Sequence, residues 1–261
     1  MNTTRPKTII ASAIVFTVLG LGACQSNTLK KDPEKGVQVR TQLAAEYIRT
    51  GDLDSAKRSL DQALKVDSRD AKANMMMGIL LQQEGSKPNM EKADAYFKRA
   101  ISSEPNNAQA RNNYGTYLYQ LQRYNDAIEQ FTRAGATLGY EQRYQSLENL
   151  GRISLKLGDV ANAEKSFKQA LQANRNATIS MLELAEIFYL QQNNRDASQL
   201  YEQYVRNVGQ KNQGARALWI GIRIARANAD QLGMQVLVNQ MRALFPDSPE
   251  YQRYLQLQYS T

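Results

Sequence analysis

From residue 37 onward apolar residues return with a period of about 34. Within each period they fall three and four positions apart, the spacing of one face of a helix. In unit 37–70, Leu43, Ala44 and Tyr47 mark a first helix, Gly51-Asp52 a turn, and Ala56, Leu60 and Ala63 a second helix. Unit 71–107 repeats this with Met77, Gly78 and Leu81, then Ala93, Phe97, Ala100 and Pro105. Unit 108–143 gives Tyr114, Gly115 and Leu118, then Ala127, Phe131 and Ala134. Unit 144–177 gives Leu147, Leu150, Gly151 and Ser154, then Ala163, Phe167 and Ala170. Each period therefore predicts a helical hairpin. Gly or Ala at the eighth position and Ala at the twentieth let its two backbones approach. Ala at the twenty-seventh admits the next hairpin, and a proline such as Pro105 stops the second helix because it cannot donate the backbone hydrogen bond.

These positions resemble the tetratricopeptide repeat (TPR), and the resemblance covers about residues 37–248. It implies an all-α fold, a right-handed superhelix of about six TPR hairpins closed by a C-terminal capping helix. Repeats one to four, residues 37–177, are regular, and residues 178–248 hold two degenerate ones. The fifth keeps Leu184, Ala185, Phe188 and Ala197 but has Tyr201 and Tyr204 where Phe and Ala are usual. The sixth keeps Pro246 but carries Met234 and Met241 at small-residue positions, so looser packing is expected there. Three extra residues around Gly85–Met90 predict a longer loop inside the second repeat. Residues 249–261 form the capping helix that a terminal repeat needs.

In TPR domains the first helices line a concave groove, with positions two, five, nine, twelve and thirteen turned into it. Carried over by position, the resemblance implies a partner-binding set of Ile48, Arg49, Met75, Ile79, Gln82, Gln83, Asn112 and Tyr119. Thr116 and Gln120 belong to the same positions of the third repeat, and Glu148, Arg152 and Lys156 turn the fourth charged. Ile48, Met75, Ile79 and Tyr119 are apolar where hairpin packing does not require it, and grouped exposed apolar residues mark contact surfaces. The alternative is that they pack on neighbouring helices, above all Met75 within the run Met75-Met76-Met77. For Ile179, Leu182, Tyr189, Leu190 and Trp219 core packing is the expectation. Thr41 and Ala45 stand where the carboxylate-clamp groove has a basic residue and Asn, so capture of chaperone tails is not expected.

Composition narrows the chemistry. The chain has 261 residues, 42% hydrophobic and 22% charged, with no histidine and one cysteine. Most zinc and haem sites, the Ser-His-Asp and Cys-His nucleophiles and any intrachain disulfide are thereby removed. A carboxylate-only active site stays open, although no paired-carboxylate motif is found. No metal, cofactor or catalysis is therefore expected. The formal charge of +8 is dispersed over helix faces with no nucleic-acid motif, so a nucleic-acid partner is not expected either.

The single cysteine has its own context. Arg5 and Lys7 precede an apolar run from Ile9 to Leu21, too short to span a bilayer comfortably, and Leu21-Gly22-Ala23-Cys24 follows. This stretch resembles a bacterial lipobox, which implies a signal peptide over 1–23, lipidation of Cys24 and a flexible tether over 24–36. Gln25 rather than Asp after the cysteine implies sorting to the outer membrane, on its periplasmic face. Lipobox and TPR array together resemble the type IV pilus biogenesis lipoproteins of the PilF/PilW type. That resemblance implies a pilotin that brings the type IV pilus secretin to the outer membrane and promotes its assembly into multimers. A TPR lipoprotein of another envelope complex, such as outer-membrane protein insertion or a peptidoglycan-enzyme adaptor, shares every feature except the partner.

Overall fold

A computed structural model describes residues 32–259, with the side chain of Tyr259 left out; the signal segment, Cys24 and most of the tether lie outside the described residues. Thirteen α-helices and no strand are found among the described residues. They pair into six antiparallel hairpins: α1 (Pro33–Thr50) with α2 (Leu53–Val66), α3 (Ala71–Glu84) with α4 (Lys87–Ser103), and α5 (Ala108–Gln120) with α6 (Tyr124–Ala136). Next come α7 (Arg143–Lys156) with α8 (Val160–Ala173), α9 (Thr178–Leu190) with α10 (Asn194–Val208), and α11 (Ala215–Ala227) with α12 (Gln231–Leu244). A last helix, α13 (Pro249–Tyr259), packs against α11. Each hairpin touches mainly its neighbours, the superhelical arrangement of a TPR array.

Local chemistry sets the helix ends. Asp52, Asp70, Asn107, Asp159, Asn193 and Asp230 each cap a helix, the side-chain oxygen accepting the N–H three residues on. Between the two helices of every hairpin the chain turns through one left-handed residue at the same repeat position: Gly51, Gly85, Gln122, Gly158, Gln192 and Ala229, with φ between 56° and 84°. Three of the six are glycine, for which that conformation is free of the Cβ clash.

Three expectations need correction. The extra residues of the second repeat make no longer loop: only Gly85 and Ser86 separate α3 from α4, and α4 is 17 residues long where α2 has 14. Pro88 explains this, because the first turn of a helix needs no N–H from it. The first helix begins at Pro33, inside the segment read as tether. Leu43 is 45% exposed, since α1 has no preceding hairpin among the described residues to cover that flank, whereas Val37, Thr41 and Ala44 are buried.

The core follows the small and large positions of the repeat. Phe97, Phe131 and Phe167 are buried, each against a glycine of its partner helix. A Cβ at Gly78, Gly115 or Gly151 would stand 3.0, 2.8 or 2.6 Å from the facing ring. In the degenerate part, Tyr201 replaces the phenylalanine and its hydroxyl donates to Gln213 Oε1 at 2.5 Å. The longer side chain reaches the next hairpin, where a Cβ on Gly221 would lie 2.2 Å from it. Met241 is fully buried, and the hairpin of α11 and α12 is less closely packed than the other five.

A helical glycine replaced by alanine ordinarily gains about 1 kcal/mol. At Gly151 the sign should reverse, because the buried Phe167 ring has nowhere to move. Gly151→Ala should lower stability by about 1–3 kcal/mol, read as a lower urea midpoint; an unchanged or raised midpoint would contradict the interlock.

Candidate functional site

The first helices of successive hairpins lie side by side: α1 by α3, α3 by α5, α5 by α7, and α9 by α11. Burial along each of them has a gradient. Position five is closed, with Thr41, Met75, Asn112 and Glu148 all buried, and the helix opens from position nine onward. The open part between α3 and α5 is a groove lined by Ile79, Gln82, Gln83, Asn113, Thr116 and Gln120. Gln82 Nε2 donates to Gln120 Oε1 across it at 2.8 Å, and Thr116 Oγ1 donates to its own helix at the Asn112 carbonyl. Ile79 supplies a half-buried apolar floor, and Gln83 stands exposed at the rim. Such a surface can hold an extended chain through amide hydrogen bonds while an apolar side chain rests on the isoleucine.

Of the eight residues expected in the groove, Ile79, Gln82 and Gln83 come together there. Tyr119 is one helix flank away, its ring 5.7 Å from that of Tyr124 and under the guanidinium of Arg152. Lys156 lies over Tyr124 at 5.4 Å, and the neighbouring phenol raises the ammonium pKa. Beyond α5 the concave face is therefore aromatic and basic. Arg49 is exposed at the end of α1 and pairs with Glu46 three residues back, while Ile48 is buried in the core.

Met75 and Asn112 do not face the groove. Met75 is 2% exposed, and its sulfur accepts from Asn113 Nδ2 at 3.3 Å. Asn112 is 7% exposed and its Oδ1 accepts the Ser146 hydroxyl at 2.8 Å. The reason is common to both: position five meets the next repeat, and its polar residues are used in that joint. Glu148 shows the same arrangement, with Oε1 accepting both the backbone N–H and the hydroxyl of Ser180 at 3.1 and 3.0 Å. At Thr41 the corresponding third residue of the next repeat is Ala73, and the buried Thr41 hydroxyl has no partner among the described residues. Asn113, one position later, is the asparagine that reaches the groove. The recurrence of a polar residue at position five with serine at position three of the next repeat, Asn112 with Ser146 and Glu148 with Ser180, is the signal that could have found this.

A second cluster sits between α9 and α11. Glu183 receives a bidentate pair from Arg216 at 2.6 and 2.7 Å, and Glu186 bridges Arg216 and Arg223. The Glu183 and Glu186 carboxylates together hold the Arg216 guanidinium well above its usual range. Of the five residues expected in the core, Trp219 is buried, Leu182 and Tyr189 are half-buried, and Ile179 and Leu190 are exposed. With Tyr189 and Arg223, Trp219 lines a pocket. Among the described residues no group of three acidic or cysteine side chains is placed to hold a metal, and no helix is long and apolar enough to cross a membrane.

Burial raises the Glu148 pKa against the two Ser180 hydrogen bonds, which lower it. A carboxyl raised in the fold binds more protons folded than unfolded, so this group's contribution to stability falls as pH rises through the carboxylate range. Glu148→Gln keeps an acceptor for Ser180 and removes the buried charge. It should stabilise the protein at about pH 7 and change little at about pH 3, well below the carboxylate range. Thermal melts at the two pH values check this, and a loss of stability at neutral pH would contradict it.

The tetratricopeptide repeat family matches residues 37–70, 89–137 and 148–214. The type IV pilus assembly protein PilF of Pseudomonas aeruginosa is 31% identical over 253 residues, covering 95% of this chain and 98% of that one. A solved structure of Pseudomonas aeruginosa PilF superposes with a TM-score of 0.80 at 31% identity, covering 87% of this chain and 99% of the other. The crystal structure of PilW, described as a widely conserved type IV pilus biogenesis factor, gives a TM-score of 0.69 at 30% identity, covering 84% and 98%.

Proposed function

This chain belongs to the PilF/PilW family of tetratricopeptide proteins of type IV pilus biogenesis, and from that membership we propose that it is a pilotin, a non-catalytic scaffold that delivers the pilus secretin to the outer membrane and promotes its multimerisation. The observation that carries the reading is the groove between α3 and α5. It presents an apolar floor at Ile79 and amides at Gln82, Gln83, Asn113 and Gln120, on the face that a TPR array turns toward its ligands. A segment of the secretin would lie across these helices. Met75 and Asn112 act from beneath, by holding α3 and α5 to their neighbours. Catalysis has no part in this mechanism, because escorting needs only that the free secretin subunit be bound more tightly than the assembled ring.

Anchoring completes the mechanism. Cys24, acylated and made the first residue by cleavage, would hold the scaffold on the periplasmic face of the outer membrane, and two or more chains give lasting attachment where one gives marginal binding. Gln25 in place of Asp is the residue that favours outer-membrane sorting.

Deletion should abolish heat-resistant secretin multimers and twitching motility; normal multimers without the protein would refute the pilotin role. Ile79→Asp should reproduce the loss of multimers with helical content retained. Gln83→Arg, at an exposed position that folding does not need, should weaken them as well. Normal multimers with both variants would move the binding surface away from α3 and α5. For the anchor, Cys24→Ser should release the protein from membranes, and continued globomycin-sensitive lipid labelling of that variant would overturn the assignment.

A further inference from the structure

Helices α9, α11, α12 and α13 enclose a pocket of about 600 Å³, lined by Tyr189, Trp219, Arg223, Arg226, Met234 and Leu257 among others. It uses positions nine and twelve of the first helices, the same positions that open the groove between α3 and α5. Its walls are aromatic and aliphatic, two guanidiniums line it and no carboxylate does. Its volume lies within the range of sites that take more than one side chain.

The charges around it do not balance. The Arg223 guanidinium lies 5.0 Å from the ring centre of Tyr189 and 5.3 Å from that of Trp219, and is tied at one end to Glu186. Its Nε is buried and donates to nothing among the described residues. Glu186 is shared with Arg216, which Glu183 already holds in a bidentate pair. Among the described residues three guanidiniums thus face two carboxylates. The third cation, Arg226, is exposed at the pocket and makes no ion pair among the described residues. A guanidinium between aromatic rings beside an unanswered second one is an environment that favours a carboxylate with an apolar neighbour.

We propose that this pocket binds a peptide segment of a partner protein in which a bulky apolar or aromatic side chain stands beside an acidic one. The apolar side chain enters between Trp219, Met234 and Leu257, and the carboxylate pairs with Arg226 at the pocket edge, in reach of the positive field of Arg223. A phosphate would answer the charge alone, whereas Ile222, Met234 and Leu257 match a side chain. This site is independent of the occupant of the groove between α3 and α5.

Trp219 is the only tryptophan of the chain, so its emission reports on the pocket alone. The full-length protein in detergent is titrated with a blocked octapeptide carrying a central Phe-Asp pair in a Gly-Ser background, and with Phe-Asn and Phe-Lys counterparts. The acidic peptide should shift the emission saturably, the Asn form should bind about tenfold more weakly, and the Lys form weaker still. Arg226→Glu should invert that order, and Ile79→Asp, in the other groove, should leave the titration unchanged. Equal affinity for the acidic and basic peptides, no saturable shift, or indifference to Arg226→Glu would overturn the proposal. A shift with phosphatidylglycerol vesicles and none with peptide would overturn it too, assigning the surface to lipid. None of these results bears on secretin assembly, which is read separately.

Discussion

An aromatic ring seated against a bare stretch of helix backbone is the contact on which the rest of this molecule depends. Phe97, Phe131 and Phe167 meet Gly78, Gly115 and Gly151 at distances that leave no room for a methyl group. The interlock fixes how closely the two helices of a hairpin approach, and hence how the next hairpin must be placed. Interiors packed this tightly respond to a single added carbon. The residues that line the proposed groove, at positions six, nine, twelve and thirteen, lie outside these ring–glycine contacts.

The C-terminal hairpins use a different solution to the same problem. Tyr201 is longer than phenylalanine and passes beyond its own hairpin to Gly221 and Gln213. Where the regular repeats lock within a hairpin, this side chain locks one hairpin to the next. The Arg216 and Arg223 pairs with Glu183 and Glu186 reinforce the same joint from the concave side. Irregularity in the repeat pattern is therefore a change in which surfaces are joined, and it accompanies a pocket walled by Tyr189, Trp219 and Met234.

The fold was legible because the repeat repeats: four registers of small and large residues leave one helical hairpin consistent with all of them, and the structure holds that all-helical tetratricopeptide array. What escaped was the direction of side chains whose role depends on a neighbour. Met75 and Asn112 occupy a position that family comparison turns toward the groove, yet the next repeat covers it and takes its hydrogen bonds. Asn113 stands at position six, which the family pattern does not turn toward the groove, and only the fold brings it there. The extra residues near Pro88 looked like loop because an insertion is usually cheapest there, but a proline in a first helical turn lets the helix itself grow. In the pocket at the C-terminal end, Trp219 and Tyr189 read as core by hydrophobicity alone. The arginines that make it distinctive gain meaning only from glutamates more than thirty residues away.

The left-handed residue shared by all six hairpin turns has a consequence of scale. Turning the chain the same way each time sets successive first helices at a nearly constant interval, about 10 Å for packed helices. A ligand in polyproline II conformation advances about 3.1 Å per residue and returns every third side chain to the same face. Laid along the concave face, it would thus meet a fresh helix at every third side chain, and the array would act as a ruler. Recognition would then favour sequences with a three-residue rhythm over those matched by composition alone.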